Sequence, residues 1–130
     1  MENITISLSE SGQDRNVSEV RVDGVVDTLT SGELEDVIDA LLKRGRFRII
    51  FDLAGVDYIS SAGWGIFISH IREVRDAGGD IKLANMIPNV YEIYELLEFD
   101  NILRAYKTID EARHTFSDST VEAPKKKARQ

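Results

Sequence analysis

Two adjacent serines, Ser60 and Ser61, stand where an apolar segment gives way to the amphipathic stretch "AGWGIFISHIREV". Hydroxyls at such a junction can cap a helix, attack as nucleophiles, cradle a phosphate or receive one. The neighbouring residues argue against two of these. A serine nucleophile on a strand-to-helix elbow needs Gly-x-Ser-x-Gly and a histidine base, but Ile59 stands two positions before Ser61. His70 falls more than two turns along the same predicted helix, out of reach as a base. A phosphate-binding loop ends in Lys-Ser or Lys-Thr, and no lysine follows here; Gly63-x-Gly65 alone is not a dinucleotide fingerprint. A cap and a modification site remain, and they are compatible. If Ser60 caps the helix, Ser61 lies on the first turn with its hydroxyl free to project outward. A helix N-terminus also tolerates an added anion.

Other chemistries have less to stand on. His70 and His114 lie far apart on predicted helices, with no second His or any Cys at ligand spacing. They read as surface or helix-end residues, so no metal is expected. Asp27, Asp52 and Asp57 are scattered, and the opening strand "ITISL" has no acid pair to hold magnesium in a receiver-like site. No catalytic residue and no cofactor are expected.

The elements that position the serines can be read from periodicity. Residues 3–8 and 17–26 alternate polar and apolar and predict an antiparallel hairpin, with Gly24 as a bulge and a turn over 9–16. Thr30 and Glu33 have capping-box spacing, followed by a helical stripe of Leu34, Val37, Ile38, Leu41 and Leu42 that Gly45 ends. "FRIIFDL" at 47–53 is the near-continuous apolar run of a strand covered on both faces. The helix after the serines carries Trp64, Phe67, Ile68, Ile71 and Val74. A strand at 80–85, a helix at 88–99, a strand at 101–108 and a helix at 109–116 capped by Thr108 and Glu111 complete the order ββαβαβαβα. This order predicts an α/β fold with a mixed, mostly parallel sheet of about five strands and about four helices. Asp52 and Asp57 are expected to cap turns and the strand end.

The chain of 130 residues fits one domain and carries a formal net charge of −7. Lys125, Lys126, Lys127 and Arg129 form a basic tail. Setting aside residues 117–130, with four positive and two negative charges, leaves the body at −9. An acidic body argues against direct nucleic-acid binding and towards protein partners. No charged-then-apolar leader and no membrane-length apolar run are seen, and there is no cysteine. The expectation is a cytoplasmic protein without membrane contact, monomeric or weakly dimeric, with an ordered domain over 1–116 and a disordered basic tail over 117–130.

Three segments together resemble the STAS domain, the fold of anti-sigma-factor antagonists: "VDGVVDTLTSGEL" at 22–34, "RIIFDLAGVDYISSAGWGIF" at 48–67 and "GGDIKLANMIPNVYEIYELLEFDNI" at 78–102. Members carry Asp-Ser-Ser-Gly or a near variant at the start of the second helix. Ser60, Ser61, Ala62 and Gly63 match it here, with Ser60 in place of the acid and Ala62 in place of the second serine. The resemblance implies a non-enzymatic partner switch. The unphosphorylated protein binds a serine-kinase anti-sigma factor and frees sigma; phosphorylation at Ser61 releases it, and a serine phosphatase resets it. Ser60 is the alternative phosphorylation site. Asp27 matches a family Asp beside the phosphorylated serine and the partner surface. The partner-facing set is then Asp27, Asp57, Ser60, Ala62, Gly63 and Trp64, with small Ala62 and Gly63 leaving room for the partner. Phe67 reads as core; Trp64 reads equally as core or as an exposed interface anchor. The competing function is a non-phosphorylated STAS adaptor or scaffold in a signalling or lipid-transport complex.

Overall fold

The computed structural model describes residues 4–10 and 16–122. Its elements are β1 (Ile4–Glu10), β2 (Val17–Val26), α1 (Ser31–Lys43), β3 (Arg48–Ile59), α2 (Ser61–Asp76), β4 (Asp80–Ala84), α3 (Pro88–Leu96), β5 (Arg104–Tyr106) and α4 (Ile109–Glu122), with a 3-10 turn at Phe99–Asn101. The strands form one sheet in the order β1-β2-β3-β4-β5. β1 pairs antiparallel with β2, and every later neighbour is parallel. The mixed, mostly parallel sheet read from the element order is therefore present, as is the opening hairpin.

Alternation along β3 distributes the core. Ile49, Phe51 and Leu53 join Leu34, Ile38 and Leu41 of α1, Phe67 and Val74 of α2 and Val90 of α3 in the larger cluster. Ile50 points the other way, into a smaller cluster with Val17, Ala84, Ala112 and Phe116. Three helices thus cover one face of the sheet, and α4 covers part of the other. A strand buried on both faces at Ile49–Phe51 has no polar side to display, which is why its sequence does not alternate.

Four expectations need correction. The strand expected to end at 53 continues to Ile59. Asp52 and Asp57 therefore lie inside it rather than at its end. Asp52 accepts from the Ala54 N–H (3.1 Å) and from the Asn85 side chain (3.1 Å). The extension follows β2 through two register shifts, the second at Gly24, whose φ of 111° is open to glycine. Second, Thr30 and Glu33 form no capping box: the Thr30 side chain makes no cap hydrogen bond to α1. Third, α3 stops at Leu96, and Glu98 at φ 61° turns the chain into the 3-10 turn, which takes up Asn101 and leaves the strand expected over 101–108 as Arg104–Tyr106 alone. Fourth, α4 runs to Glu122, so position 116 lies within the helix rather than at its end. The expected cap of α4 is present: Thr108 Oγ1 accepts from the Glu111 N–H, while Glu111 accepts from the N–H of Lys107 (both 3.1 Å). Residues 11–15 of the expected turn and the basic residues of the tail fall outside the described residues. Among the described residues, no helix is long and apolar enough to cross a membrane.

Candidate functional site

The ends of β2 and β3 lie side by side, and the site grows from that pairing. Val26 is opposite Ile59, the last residue of each strand. One step on, the Ser60 N–H donates to the Val26 carbonyl (2.8 Å), carrying the ladder to the first residue past β3. Asp27 follows Val26 directly, so the loop into α1 and the start of α2 are joined through backbone. The structure thus brings the Val26–Asp27 corner and Ser60 together.

At α2 the two serines divide their work. Ser60 is the N-cap, in extended conformation (ψ 173°), and its hydroxyl accepts from the Gly63 N–H at 3.3 Å. Ser61 is the first helical residue and is exposed. No acidic residue occupies the first turn of α2, so the positive end of the helix dipole has no side-chain anion against it there.

Gly63 corrects the sequence reading. It is buried and leaves no room for a partner. A Cβ built on it would lie 2.6 Å from Val26 Cγ1 and 2.8 Å from Ile59 Cγ2, closer than real Cβ atoms come. The glycine lets the first turn of α2 sit directly on the two strand ends. Gly65, by contrast, would meet nothing within 4 Å. Ala62 is half-buried beside it.

Trp64 is also corrected, from possible anchor to core: it is 1% exposed. Its ring sits 5.0 Å from Phe99, 6.0 Å from Tyr94 and 6.2 Å from Phe67, centroid to centroid. Its indole N–H is buried without a hydrogen-bond partner. Tyr94 in the same cluster donates its hydroxyl proton to the Leu103 carbonyl. Burial, with Asp100 adding to it, pushes that phenol up to about 12. The periodicity carried the answer for Trp64, since 64, 67, 71 and 74 form one continuous helical stripe.

Asp27 is held tightly. Its Oδ1 accepts from the N–H groups of Leu29 (2.9 Å) and Thr30 (3.1 Å). Thr30 Oγ1 accepts from the Asp27 N–H (2.9 Å) and donates to the Val25 carbonyl (2.6 Å). Thr30 is therefore occupied on the strand side, which explains the missing capping box. Leu29, at the tip of this turn, is 78% exposed. Asp57 belongs to a neighbouring feature. It is exposed and lines a cleft of about 330 Å³ with Tyr58, Trp64, Asn89, Val90 and Ile93. Ile59 and Glu92 complete a lining that mixes apolar and acidic side chains; Tyr91, Leu96 and Leu97, on α3 and just past it, are exposed.

His70 was expected at the surface or at a helix end. It is instead buried at the middle of α2, 8% exposed, and faces α1. The stripe again held the signal, because 70 lies three residues after Phe67 and four before Val74. His114 is exposed.

Comparison with known proteins agrees with this architecture. The model of the family described as STAS domain matches residues 10–112. BtrV of Bordetella bronchiseptica, which carries the name of an anti-sigma factor antagonist, is 30% identical over 93 residues, covering 72% of this chain and 80% of that protein. Among solved structures, an anti-sigma factor antagonist from Mycobacterium paratuberculosis superposes with a TM-score of 0.80 at 24% identity, over 89% of this chain and 96% of that one. The Bacillus cell fate determinant SpoIIAA in its phosphorylated form superposes at 0.66 with 18% identity, over 86% of this chain and 99% of that one.

Proposed function

The chain belongs to the STAS domain family, and from that premise we propose that it is an anti-sigma-factor antagonist working as a phosphorylation switch at Ser61. It acts by binding rather than by catalysis. Unphosphorylated, it binds a serine-kinase anti-sigma factor in the cytoplasm and frees a sigma factor. Phosphorylated, it lets go, and a serine phosphatase restores it.

One observation carries the choice of residue: Ser60 is occupied as the helix cap, while its neighbour Ser61 is exposed on the first turn. A kinase can reach the second hydroxyl without undoing the first. The helix end accepts a phosphate electrostatically, so modification leaves the fold intact. The surface seen by a partner changes sharply, because a phosphate adds nearly two negative charges to a chain already at −7. Asp27 directly follows Val26, whose carbonyl accepts from the Ser60 N–H. The partner surface proposed here comprises Ser61, Asp27 and the exposed Leu29, with Asp57 at its margin. Ser60, Ala62, Gly63 and Trp64 support it from beneath. BtrV and the Mycobacterium protein bear antagonist names, and SpoIIAA has been solved phosphorylated; these support the reading.

The test is phosphosite mapping by mass spectrometry on the protein isolated from its own cells. A single phosphoryl group on Ser61, absent from Ser61→Ala, is the expected result. Phosphate on Ser60 moves the site by one residue. No phosphate under any growth or stress condition overturns the switch and favours the adaptor function.

A further inference from the structure

We propose that Glu35 and Asp39 of α1 and His70 of α2 form a binding site for a first-row divalent metal ion, of which Zn²⁺ is the test case. Each offers a ligand atom, and these atoms all lie within 4.8 Å of one another.

The hydrogen bonds of His70 carry the inference. Its Nδ1 lies 2.9 Å from the Ile66 carbonyl and 3.2 Å from Ser69 Oγ. A carbonyl oxygen only accepts, so Nδ1 holds a proton. The other nitrogen, Nε2, faces Asp39 Oδ1 at 3.3 Å and Glu35 Oε2 at 3.8 Å. In the neutral ring that pairs a lone pair with two carboxylate acceptors. A cation among the three atoms, or a second proton on the ring, turns this repulsion into attraction. A ligating histidine that donates its far N–H to a backbone carbonyl is the usual support of a metal site, since it fixes both tautomer and ring orientation.

Two of the three separations suit an ion. Ligand atoms about 2.0–2.2 Å from a tetrahedral ion lie about 3.4 Å apart, which the 3.3 and 3.8 Å separations from Nε2 bracket; the two carboxylate oxygens lie within 4.8 Å of each other. Glu35 and Asp39 are four residues apart, one turn on the same helix face. The donor set has a polarity of its own: the imidazole is 10% exposed, whereas the Glu35 and Asp39 side chains are 44% and 51% exposed. The buried nitrogen anchors the ion, while the acids leave an open path for entry and for water ligands. One imidazole with two carboxylates suits zinc and its first-row neighbours, whereas calcium and magnesium prefer all-oxygen sites. A bound ion would tie α1 to α2, the helices whose first turns flank the proposed switch.

The test is calorimetric titration of the full-length, chelator-stripped protein with ZnCl₂ near neutral pH. One equivalent is expected to bind and to raise the melting temperature, while MgCl₂ does neither. Asp39→Asn and Glu35→Gln, at half-exposed positions that keep the fold, should each weaken binding about tenfold or more. His114→Gln should leave it unchanged. With Co²⁺ as probe, visible absorption should appear and vanish in His70→Gln. No stoichiometric uptake, uptake unaffected by both acid variants, or uptake lost with His114 overturns the site. So does a His70 ring found protonated on both nitrogens at saturating zinc. None of these outcomes bears on phosphorylation of Ser61, so the two readings fail separately.

Discussion

The first turns of α1 and α2 are built from similar letters and used differently. One begins Thr30-Ser31-Gly32-Glu33-Leu34 and the other Ser60-Ser61-Ala62-Gly63-Trp64. Both place a hydroxyl at the N-cap, a serine next, and a buried apolar residue at the fourth helical position, with Leu34 at 0% and Trp64 at 1% exposure. In α1 the hydroxyl turns back to the strand and its turn, and Glu33 supplies an anion to the helix dipole. In α2 the hydroxyl turns forward to cap, the third position is a glycine pressed on two strand ends, and no acid is present. A helix start can therefore be closed electrostatically from within or left open to an outside anion. The choice rests on where one side chain sends its hydrogen bond and on whether the third helical position carries a carboxylate.

The largest expected effect lies at the shared fourth position. Trp64→Ala should cost about 3–5 kcal/mol, read as a fall in the denaturation midpoint. A loss under 1 kcal/mol would mean that the aromatic cluster is not the anchor of α2. Next comes the inward hydroxyl of α1. Thr30→Val keeps the shape but leaves the Val25 carbonyl and Asp27 N–H without that partner, at about 1–3 kcal/mol. The smallest effects compare the adjacent serines. Ser60→Ala should destabilise by about 1 kcal/mol through loss of the cap. Ser61→Ala should stay within about 0.5 kcal/mol, measured by the same unfolding curves. If the two serines exchanged these values, the cap and the open hydroxyl would have to be exchanged with them.

Much of the fold was legible because it depends on local rules. The 3.6-residue stripes gave the first three helices, a cap gave the last, the unbroken apolar run gave the central strand, and the element order gave the sheet. Ser60 as cap could be read for the same reason. What could not be read depends on contacts between distant segments. "AGVDYI" looks like a loop because it holds a glycine and an aspartate. It becomes strand because β2 runs alongside and absorbs the mismatch with shifts near Gly24. Thr30 and Glu33 have faultless spacing, yet Val25 lies within reach of the threonine and wins it. Gly63 looks like open space until Val26 and Ile59 arrive. His70 was misplaced, and Trp64 left between core and surface, for another reason: the stripe that buries them was in view, but their chemistry suggested exposure.

The hydrogen bond from Ser60 to Val26 and the close seat of Gly63 have a kinetic consequence. The two loop ends that would meet a partner are already assembled in the free protein, so little chain must be ordered on encounter. A phosphate at Ser61 would then be sensed as charge rather than as altered shape. A partner of like charge would be repelled at long range. The mark of that repulsion should be an association rate that recovers as salt shortens the reach of the field.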